Sequence, residues 1–180
     1  MSLTGFKNNG TVKLVYHGSN MVVKQPQLIP QNRFLDFGKG FYTTENKEQA
    51  VSFADKVYRR RKKEGKPTVS IYEFDQTAFD VCSLLRFDAP DETWLDFVSA
   101  HRNNTYQGET YELTYGAVAN DDIFLTFTLY ASGELSKEET INRLKIKKLY
   151  NQLVFSSECA LSYLKFIGIM DEKELLPWKE

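Results

Sequence analysis

Short stretches in which apolar and polar residues alternate recur along this chain, and they constrain its fold more than any other feature. Four of them are 11–17, 68–74, 111–118 and 149–155. A period of two residues is typical of a β-strand whose two faces lie in different surroundings. The segments 81–87 and 166–170 are predicted to be strands as well. The chain is therefore expected to build a sheet from many short strands.

Segments with helical periodicity lie between these strands. The clearest is 47–64, which Asn46 or Thr44 can cap and which Gly65 is expected to end. Other predicted helices are 91–102, 136–147 and a short helix after Ser156 or Ser157. The segment 121–130 is predicted to be a helix that Asn120 or Asp121 can cap, with a strand as the alternative because it is rich in aromatic residues and threonines. Strands and helices do not alternate regularly, which favours the α+β class over a βαβ fold.

Length and composition predict one globular domain that spans residues 1–180. A chain of 180 residues can bury about 70% of its unfolded surface, so its core needs no covalent or metal crosslinks. The net charge of −1 gives no overall basic field, and we expect no strong binding to nucleic acid. No apolar run reaches membrane-spanning length, so no association with a membrane is expected.

The two cysteines give little chemical information in the sequence. Cys82 and Cys159 form neither a disulfide framework nor a metal-binding spacing, so no metal is predicted. The N-terminal segment Met1–Gly5 lacks the charged and then apolar pattern of a signal peptide. These features predict a protein of the reducing cytoplasm.

The segment from Asp36 to Thr44 is predicted to form a tight loop that leads into a short strand. Gly38 and Gly40 flank a lysine, and an aromatic pair that ends in Tyr42 follows at once. Glycine allows backbone conformations and close approaches that a side chain forbids. Such a loop lets a flat ligand reach the backbone and stack on an aromatic ring. By itself this pattern is a weak signal, since hairpins and bulges use it too.

Three segments together resemble the ADP-ribosyltransferase superfamily, in the branch shared by diphtheria-type toxins and poly(ADP-ribose) polymerases. The segments are His17-Gly18-Ser19, Gly38-Lys39-Gly40-Phe41-Tyr42 and 150–155. The resemblance covers residues 12–58 and 148–167, and the middle of the chain matches only in its general run of strands and helices. Over its full length, the chain resembles an uncharacterised family of small bacterial proteins in this superfamily. The resemblance implies a split β-sheet core flanked by helices.

The resemblance also implies NAD as the substrate and gives roles to individual residues. His17 matches the histidine that hydrogen-bonds a ribose hydroxyl, and Gly18 matches the residue whose backbone holds the nicotinamide carboxamide. Tyr42 would stack on the nicotinamide, and Phe53, eleven residues later, would close the other side. Offset aromatic stacking adds about 0.5–1.5 kcal/mol beyond the buried area. The implied cofactor-binding residues are Gly18, Ser19, Gly38, Gly40 and Phe53.

Two departures from the family pattern affect what the chain can do. The serine that often bonds the carboxamide is Ala50 here, so that bond is lost or comes from a neighbour such as Ser19. The catalytic glutamate of the family matches Gln152, so the implied catalytic set is His17, Tyr42 and Gln152. Glutamine keeps the shape but lacks the charge that stabilises the oxocarbenium-like transition state. Losing one such stabiliser typically costs about 10²–10³ in rate.

The expected function is transfer of ADP-ribose from NAD to a macromolecule that the sequence does not identify, or hydrolysis of NAD. One alternative is a catalytically weak or inactive nucleotide-binding module of the same fold, which Gln152 favours. Another is a protein that binds a partner through loop 20–33 and helix 47–64. Glu158 is the nearest other carboxylate, but the first turn of a helix is an ordinary place for an acidic residue.

Overall fold

The computed structural model describes residues 12–30, 34–118, 121–145 and 149–170. Within this part of the chain the strands are β1 Val12–Ser19, β2 Phe41–Thr44, β3 Thr68–Asp75, β4 Leu84–Arg86, β5 Leu113–Ala117, β6 Asn151–Phe155 and β7 Leu164–Ile169. The helices are α1 Lys47–Arg60, α2 Ala78–Val81, α3 Glu92–Arg102, α4 Asp121–Ala131, α5 Lys137–Lys145 and α6 Glu158–Leu161. The prediction of an α+β protein is confirmed.

All seven strands belong to one sheet, in the order β4-β5-β6-β2-β1-β3-β7. Neighbouring strands are antiparallel except β4 and β5, which are parallel. β1 pairs with β3 along its whole length, from Val12 to Ser19. In contrast, β1 and β2 are joined by a single pair of opposed residues, Tyr16 and Thr44. The sheet therefore consists of two halves that meet at the junction of β1 and β2.

The two faces of the sheet pack into different apolar cores. One core contains Phe41 and Phe155 and is covered by residues of α2 and α6. The other contains Trp94 and Val154 and lies beneath α3, α4 and α5. Successive side chains of a strand point to opposite faces, so Phe41 enters the first core while Tyr42 packs against the second.

α1 lies directly on the strand end that carries the His-Gly-Ser segment. A Cβ at Gly18 would come within 2.2 Å of the carbonyl oxygen of Ala50 and 2.7 Å of the amide nitrogen of Ala54. Both alanines are buried at this contact. Asn46 caps the helix, because its side chain accepts a hydrogen bond from the backbone N–H of Gln49. The absent side chain at position 18 therefore sets how closely helix and strand approach.

Several predicted elements have different limits in the structure. α1 ends at Arg60 rather than near residue 64, because Lys62 and Lys63 adopt the left-handed conformation, with φ of 54° and 65°. The predicted strand 81–87 is shortened to β4, since the residues just before it form the short helix α2.

The structure also shows which secondary structure forms in the segment that the sequence predicted as either a helix or a strand. Residues 121–131 form α4, so the strand alternative is wrong. Ile123 and Phe127, four positions apart, are both buried and lie on one face of that helix. The predicted cap at Asn120 lies outside the described residues, as do parts of the predicted helix 136–147 and of loop 20–33. No helix in the described ranges has both the length and the apolar character needed to cross a membrane.

Candidate functional site around the junction of β1 and β2

The three residues predicted for catalysis lie on three adjacent strands. Gln152 is opposite Thr44 and Val154 is opposite Tyr42, so Gln152 and Tyr42 are diagonal neighbours on one face of the sheet. His17 follows Tyr16, the residue of β1 that lies opposite Thr44. Its side chain therefore points to the other face. The structure brings the three residues to one junction but does not place them on a single surface.

His17 fills the junction where the two strands stop pairing. Its Nδ1 lies 2.7 Å from the carbonyl oxygen of Tyr42, and its ring stacks on Phe41 with 4.3 Å between ring centroids. A carbonyl oxygen only accepts, so Nδ1 carries the proton and donates this hydrogen bond. Burial lowers the pKa of His17, although the bond to Tyr42 acts in the opposite direction. In the neutral ring Nε2 is an acceptor, which suits a hydroxyl group such as that of a ribose.

The two histidines of the chain should make the protein sensitive to mild acid. Burial lowers the pKa of both His17 and His101. The unfolded chain then binds protons on these rings at a higher pH than the folded protein does. The free energy of unfolding should therefore decrease as the pH falls below about 6.5. Urea unfolding across this range should show a weaker pH dependence for the variant His17→Gln/His101→Gln. An unchanged dependence would show that other groups control it.

The hydroxyl of Tyr42 holds the loop that precedes β2. It donates to the carbonyl oxygen of Gly38 at 2.7 Å and accepts from the backbone N–H of Phe37 at 3.0 Å. Burial raises the pKa of Tyr42, and the nearby carboxylate of Asp36 raises it further, so the phenol stays protonated. The resemblance implied a role for the ring of Tyr42, and the structure adds one for its hydroxyl. The hydroxyl links the loop to the strand.

Replacing Tyr42 should affect both stability and ligand binding. Tyr42→Phe removes two hydrogen bonds, each worth about 0.5–1.5 kcal/mol, so the free energy of unfolding should fall by about 1–3 kcal/mol. Tyr42→Ala also removes the packing of the ring and should cost more. It should weaken NAD binding more than Tyr42→Phe does, because stacking needs the ring. Chemical denaturation and calorimetry provide the two measurements. Equal losses of NAD affinity in both variants would show that the hydroxyl, rather than the ring, controls binding.

The two glycines of the loop meet separate requirements of the fold. Gly38 has a φ of 75°, in the left-handed region, and a Cβ there would lie 2.9 Å from the ring of His101. A Cβ at Gly40 would lie 2.5 Å from Cγ1 of Val154 and 2.9 Å from the carbonyl oxygen of Phe155. A larger residue at position 40 therefore collides with β6 itself. Loss of ligand binding in Gly40→Val would not show that the ligand contacts this backbone.

A partly buried ion pair between Asp36 and Arg102 lies beside Gln152. Nε2 of Gln152 donates to Oδ2 of Asp36 at 3.3 Å, and both residues are buried. Oδ1 of Asp36 accepts from Nε of Arg102 at 2.7 Å and lies 2.7 Å from its Nη2. A carboxylate thus lies next to Gln152, which the resemblance described above matches to a glutamate, but an arginine neutralises it. Sequence reasoning missed this role, because Asp36 and Arg102 are 66 positions apart and meet only through tertiary packing.

The remaining predicted residues are distributed around the same junction. Phe53 lies on α1 and is 41% exposed, so its ring is not part of the core. Gln49, one helical turn earlier, accepts a hydrogen bond from Thr44 at 3.5 Å. Phe53 therefore lies on the side of α1 that faces the end of β2. Ser19 is the last residue of β1.

His101 packs against the loop that precedes β2. Its ring stacks on Tyr106 with 4.1 Å between ring centroids and makes an edge contact with Phe97. A Cβ at Gly38 would lie 2.9 Å from this ring. Two surface depressions contain none of the predicted site residues. They are lined by Glu92, Lys137, Glu138, Ile141 and Asn142, and by Val12, Glu73, Asp75, Ser162, Tyr163 and Lys165.

The described part of the chain is an α+β protein with one mixed sheet. The buried polar residues Asp36 and Gln152 lie near the junction of β1 and β2, where the two halves of the sheet meet. The chain belongs to the family described as protein of unknown function, DUF3990, which matches residues 13–166. The matched range contains His17, Tyr42, Phe53 and Gln152. No curated protein and no solved structure matches the chain.

Proposed function

We propose that this protein has an ADP-ribosyltransferase-like fold and binds NAD at the junction of β1 and β2. The observation that carries the proposal is the adjacency of β6, β2 and β1, which places Gln152, Tyr42 and His17 on neighbouring strands. Their order along the chain and on the sheet agrees with the histidine, tyrosine and glutamate positions of that superfamily. The single residue pair between β1 and β2 also agrees with a split sheet.

The local chemistry supports a nucleotide as the ligand. His17 offers an acceptor nitrogen for a ribose hydroxyl when Nδ1 is held by the carbonyl oxygen of Tyr42. Phe53 offers an exposed aromatic face on the side of α1 that faces β2. An exposed aromatic ring beside a polar junction is suited to stacking on a flat heterocycle. The side chain of His17 lies on the other face of the sheet from Tyr42, so NAD bound by His17 and Phe53 would have to contact both faces at the junction. Neither contact requires a charged side chain at position 152.

Our proposed reaction is transfer of ADP-ribose from NAD to a macromolecular acceptor. The bond between the ribose and nicotinamide breaks, and nicotinamide leaves as the neutral base. A nucleophile of the acceptor forms the new bond to the ribose carbon and releases its proton to solvent. Positive charge develops on the ribose in this step, and a fixed negative charge nearby would stabilise it. Gln152 supplies no such charge, and Arg102 offsets the charge of Asp36. Turnover is therefore expected to be slow.

The second candidate function is binding of NAD or a related nucleotide without chemistry. The hydrogen bond from Gln152 to the paired carboxylate of Asp36 favours it, because the amide is already engaged. Incubation with NAD separates the two candidates. Nicotinamide that appears in proportion to enzyme and time supports the transferase or a hydrolase, whereas saturable binding without nicotinamide supports the binding module. Absence of both results would refute the proposal.

Phe53→Ala should weaken NAD binding while leaving the fold intact. The ring is 41% exposed, so its removal should change the free energy of unfolding little. Loss of a stacking contact worth about 0.5–1.5 kcal/mol corresponds to a decrease in affinity of about two- to tenfold. Leu125→Ala is a matched control, because Leu125 is an exposed apolar residue on another helix. Calorimetry with NAD should show the loss for Phe53→Ala alone. Equal affinities of the two variants would exclude stacking on Phe53.

A further inference from the structure

The side chains of Cys82, Glu112 and Cys159 lie close together near the start of β5. None of these residues is assigned to the proposed NAD site. The two sulfur atoms and one carboxylate oxygen all lie within 4.8 Å of one another. Cys82 follows α2, Glu112 immediately precedes β5, and Cys159 lies in α6. The sequence spacing predicted no such cluster. Tertiary packing therefore brings together three possible metal ligands that are far apart in the sequence.

Hydrogen bonds hold the carboxylate of Glu112 in a fixed orientation. Oε2 accepts from the backbone N–H of Ser83 at 3.0 Å, and Oε1 accepts from the hydroxyl of Ser157 at 2.8 Å. The backbone N–H of Glu112 in turn donates to the hydroxyl of Ser83 at 3.0 Å. In metal sites, ligand carboxylates are oriented by such hydrogen bonds from neighbouring groups. The Glu112 carboxylate is thus positioned beside the two thiols before any ion binds.

The surroundings of the thiols favour binding of a cation over reactive-thiol chemistry. Cys82 is buried in an apolar core, whereas Cys159 is exposed, so an ion can reach the cluster from the Cys159 side. Burial, together with the smaller effects of Cys159 and Glu112, raises the pKa of the Cys82 thiol to about 11. Reactive cysteines lie in electropositive surroundings that lower their pKa, and this cluster lacks that character.

We propose that Cys82, Glu112 and Cys159 bind a zinc ion, with a fourth coordination position open to solvent beside Cys159. Two sulfur ligands and one oxygen ligand form a set that suits Zn²⁺ and is a poor match for Mg²⁺ or Ca²⁺. Each thiol releases its proton to solvent as its sulfur–zinc bond forms. The ion connects α2, β5 and α6 and should stabilise the folded protein, because the unfolded chain does not hold the three ligands together. None of the three ligands belongs to the proposed NAD site.

Cobalt provides a direct test, because thiolate ligands give Co²⁺ an intense charge-transfer absorption. Anaerobic titration of the reduced protein with Co²⁺ should saturate at one equivalent, and Zn²⁺ should displace the cobalt. Zn²⁺ should also raise the midpoint of thermal unfolding. Cys159→Ser, at an exposed position, should reduce the absorption and weaken zinc binding at least about tenfold. Glu112→Gln should weaken binding to a similar extent but retain the thiolate absorption.

The control is Glu158→Gln, which removes an exposed carboxylate next to Cys159 in the same helix. It should bind zinc as the wild type does. Three results would overturn the proposal: no charge-transfer absorption at stoichiometric Co²⁺, an affinity for zinc that Glu112→Gln leaves unchanged, or a reduced protein that binds no metal but forms a Cys82–Cys159 disulfide in air. The last result would identify the pair as a redox site.

Discussion

The double variant Asp36→Asn/Gln152→Glu is expected to release nicotinamide from NAD at least about tenfold faster than the wild type, a barrier change of about 1.4 kcal/mol. It exchanges the two groups that meet at 3.3 Å and keeps both the net charge and an amide–carboxylate pair. The negative charge moves onto β6, at the position that the proposed relationship matches to a catalytic glutamate. A charge that is fixed before the ribose becomes positive stabilises the transition state without reorganisation.

Gln152→Glu alone should give a smaller gain and a less stable protein. It places a second carboxylate beside Asp36 in buried surroundings, and two like charges at about 4 Å repel by roughly 4 kcal/mol at an effective dielectric constant of 20. One of the two carboxyl groups should therefore stay protonated, which removes much of the intended charge. Arg102 is then shared between two acidic groups rather than one.

Chromatographic measurement of nicotinamide and thermal unfolding should be carried out on the wild type, the single variant Gln152→Glu and the double variant. The expected order of activity is double variant, then single variant, then wild type. Glu158→Gln is the control for the nearest exposed carboxylate and should leave the gain of the double variant intact. A double variant that folds and binds NAD but releases nicotinamide no faster would refute the catalytic assignment of position 152. Activity abolished by Glu158→Gln alone would move the catalytic carboxylate to Glu158.

Gly18→Ala is expected to destabilise the protein by about 3 kcal/mol or more, because overpacking against a rigid neighbour is costly. The new methyl group would lie 2.2 Å from the carbonyl oxygen of Ala50. This atom belongs to the backbone of α1, so the whole helix would have to move away from β1. A shift of α1 would also displace Phe53 from the end of β2 and should weaken NAD binding.

Gly168→Ala is the matched control for this substitution. Gly168 is also a strand glycine, but a Cβ there meets nothing within 4 Å, and its φ is not in the left-handed region. Its replacement should change the free energy of unfolding by no more than about 1 kcal/mol. Urea denaturation of both variants gives the comparison. Equal stability of the two proteins would show that the close contact between α1 and β1 relaxes without cost.

Capping residues and the alternation of apolar and polar residues predicted those parts of the fold that depend on contacts between residues close in sequence. Asn46 or Thr44 was predicted to cap α1, and Asn46 does so; capping is predictable because it involves only the next three residues. Alternation predicted β3 and β6 to within a few residues, since burial of one strand face leaves a pattern in the sequence. The end of α1 was missed, because Lys62 and Lys63 in the left-handed conformation carry no clear sequence signal.

Long-range features of the candidate site could not be predicted in the same way. The resemblance placed His17, Tyr42, Phe53 and Gln152 in a common site. It did not indicate that the side chain of His17 points to the opposite face of the sheet from that of Tyr42. Nor did it indicate the ion pair of Asp36 beside Gln152. Such contacts depend on how distant segments pack, and a single sequence contains no periodicity or spacing that reports them. The cluster of Cys82, Glu112 and Cys159 could not be predicted for the same reason.

Titration of the isotope-labelled wild-type protein with NAD, followed by NMR, tests the central claim most directly. We predict saturable chemical-shift changes that are largest at His17, Gly18, Tyr42 and Phe53, and weaker binding by Phe53→Ala. No shift at about 1 mM NAD, the upper end of ordinary substrate affinities, would contradict the proposed site. Saturable shifts confined to the region of Cys82 and Glu112, with none at the junction of β1 and β2, would contradict it as well.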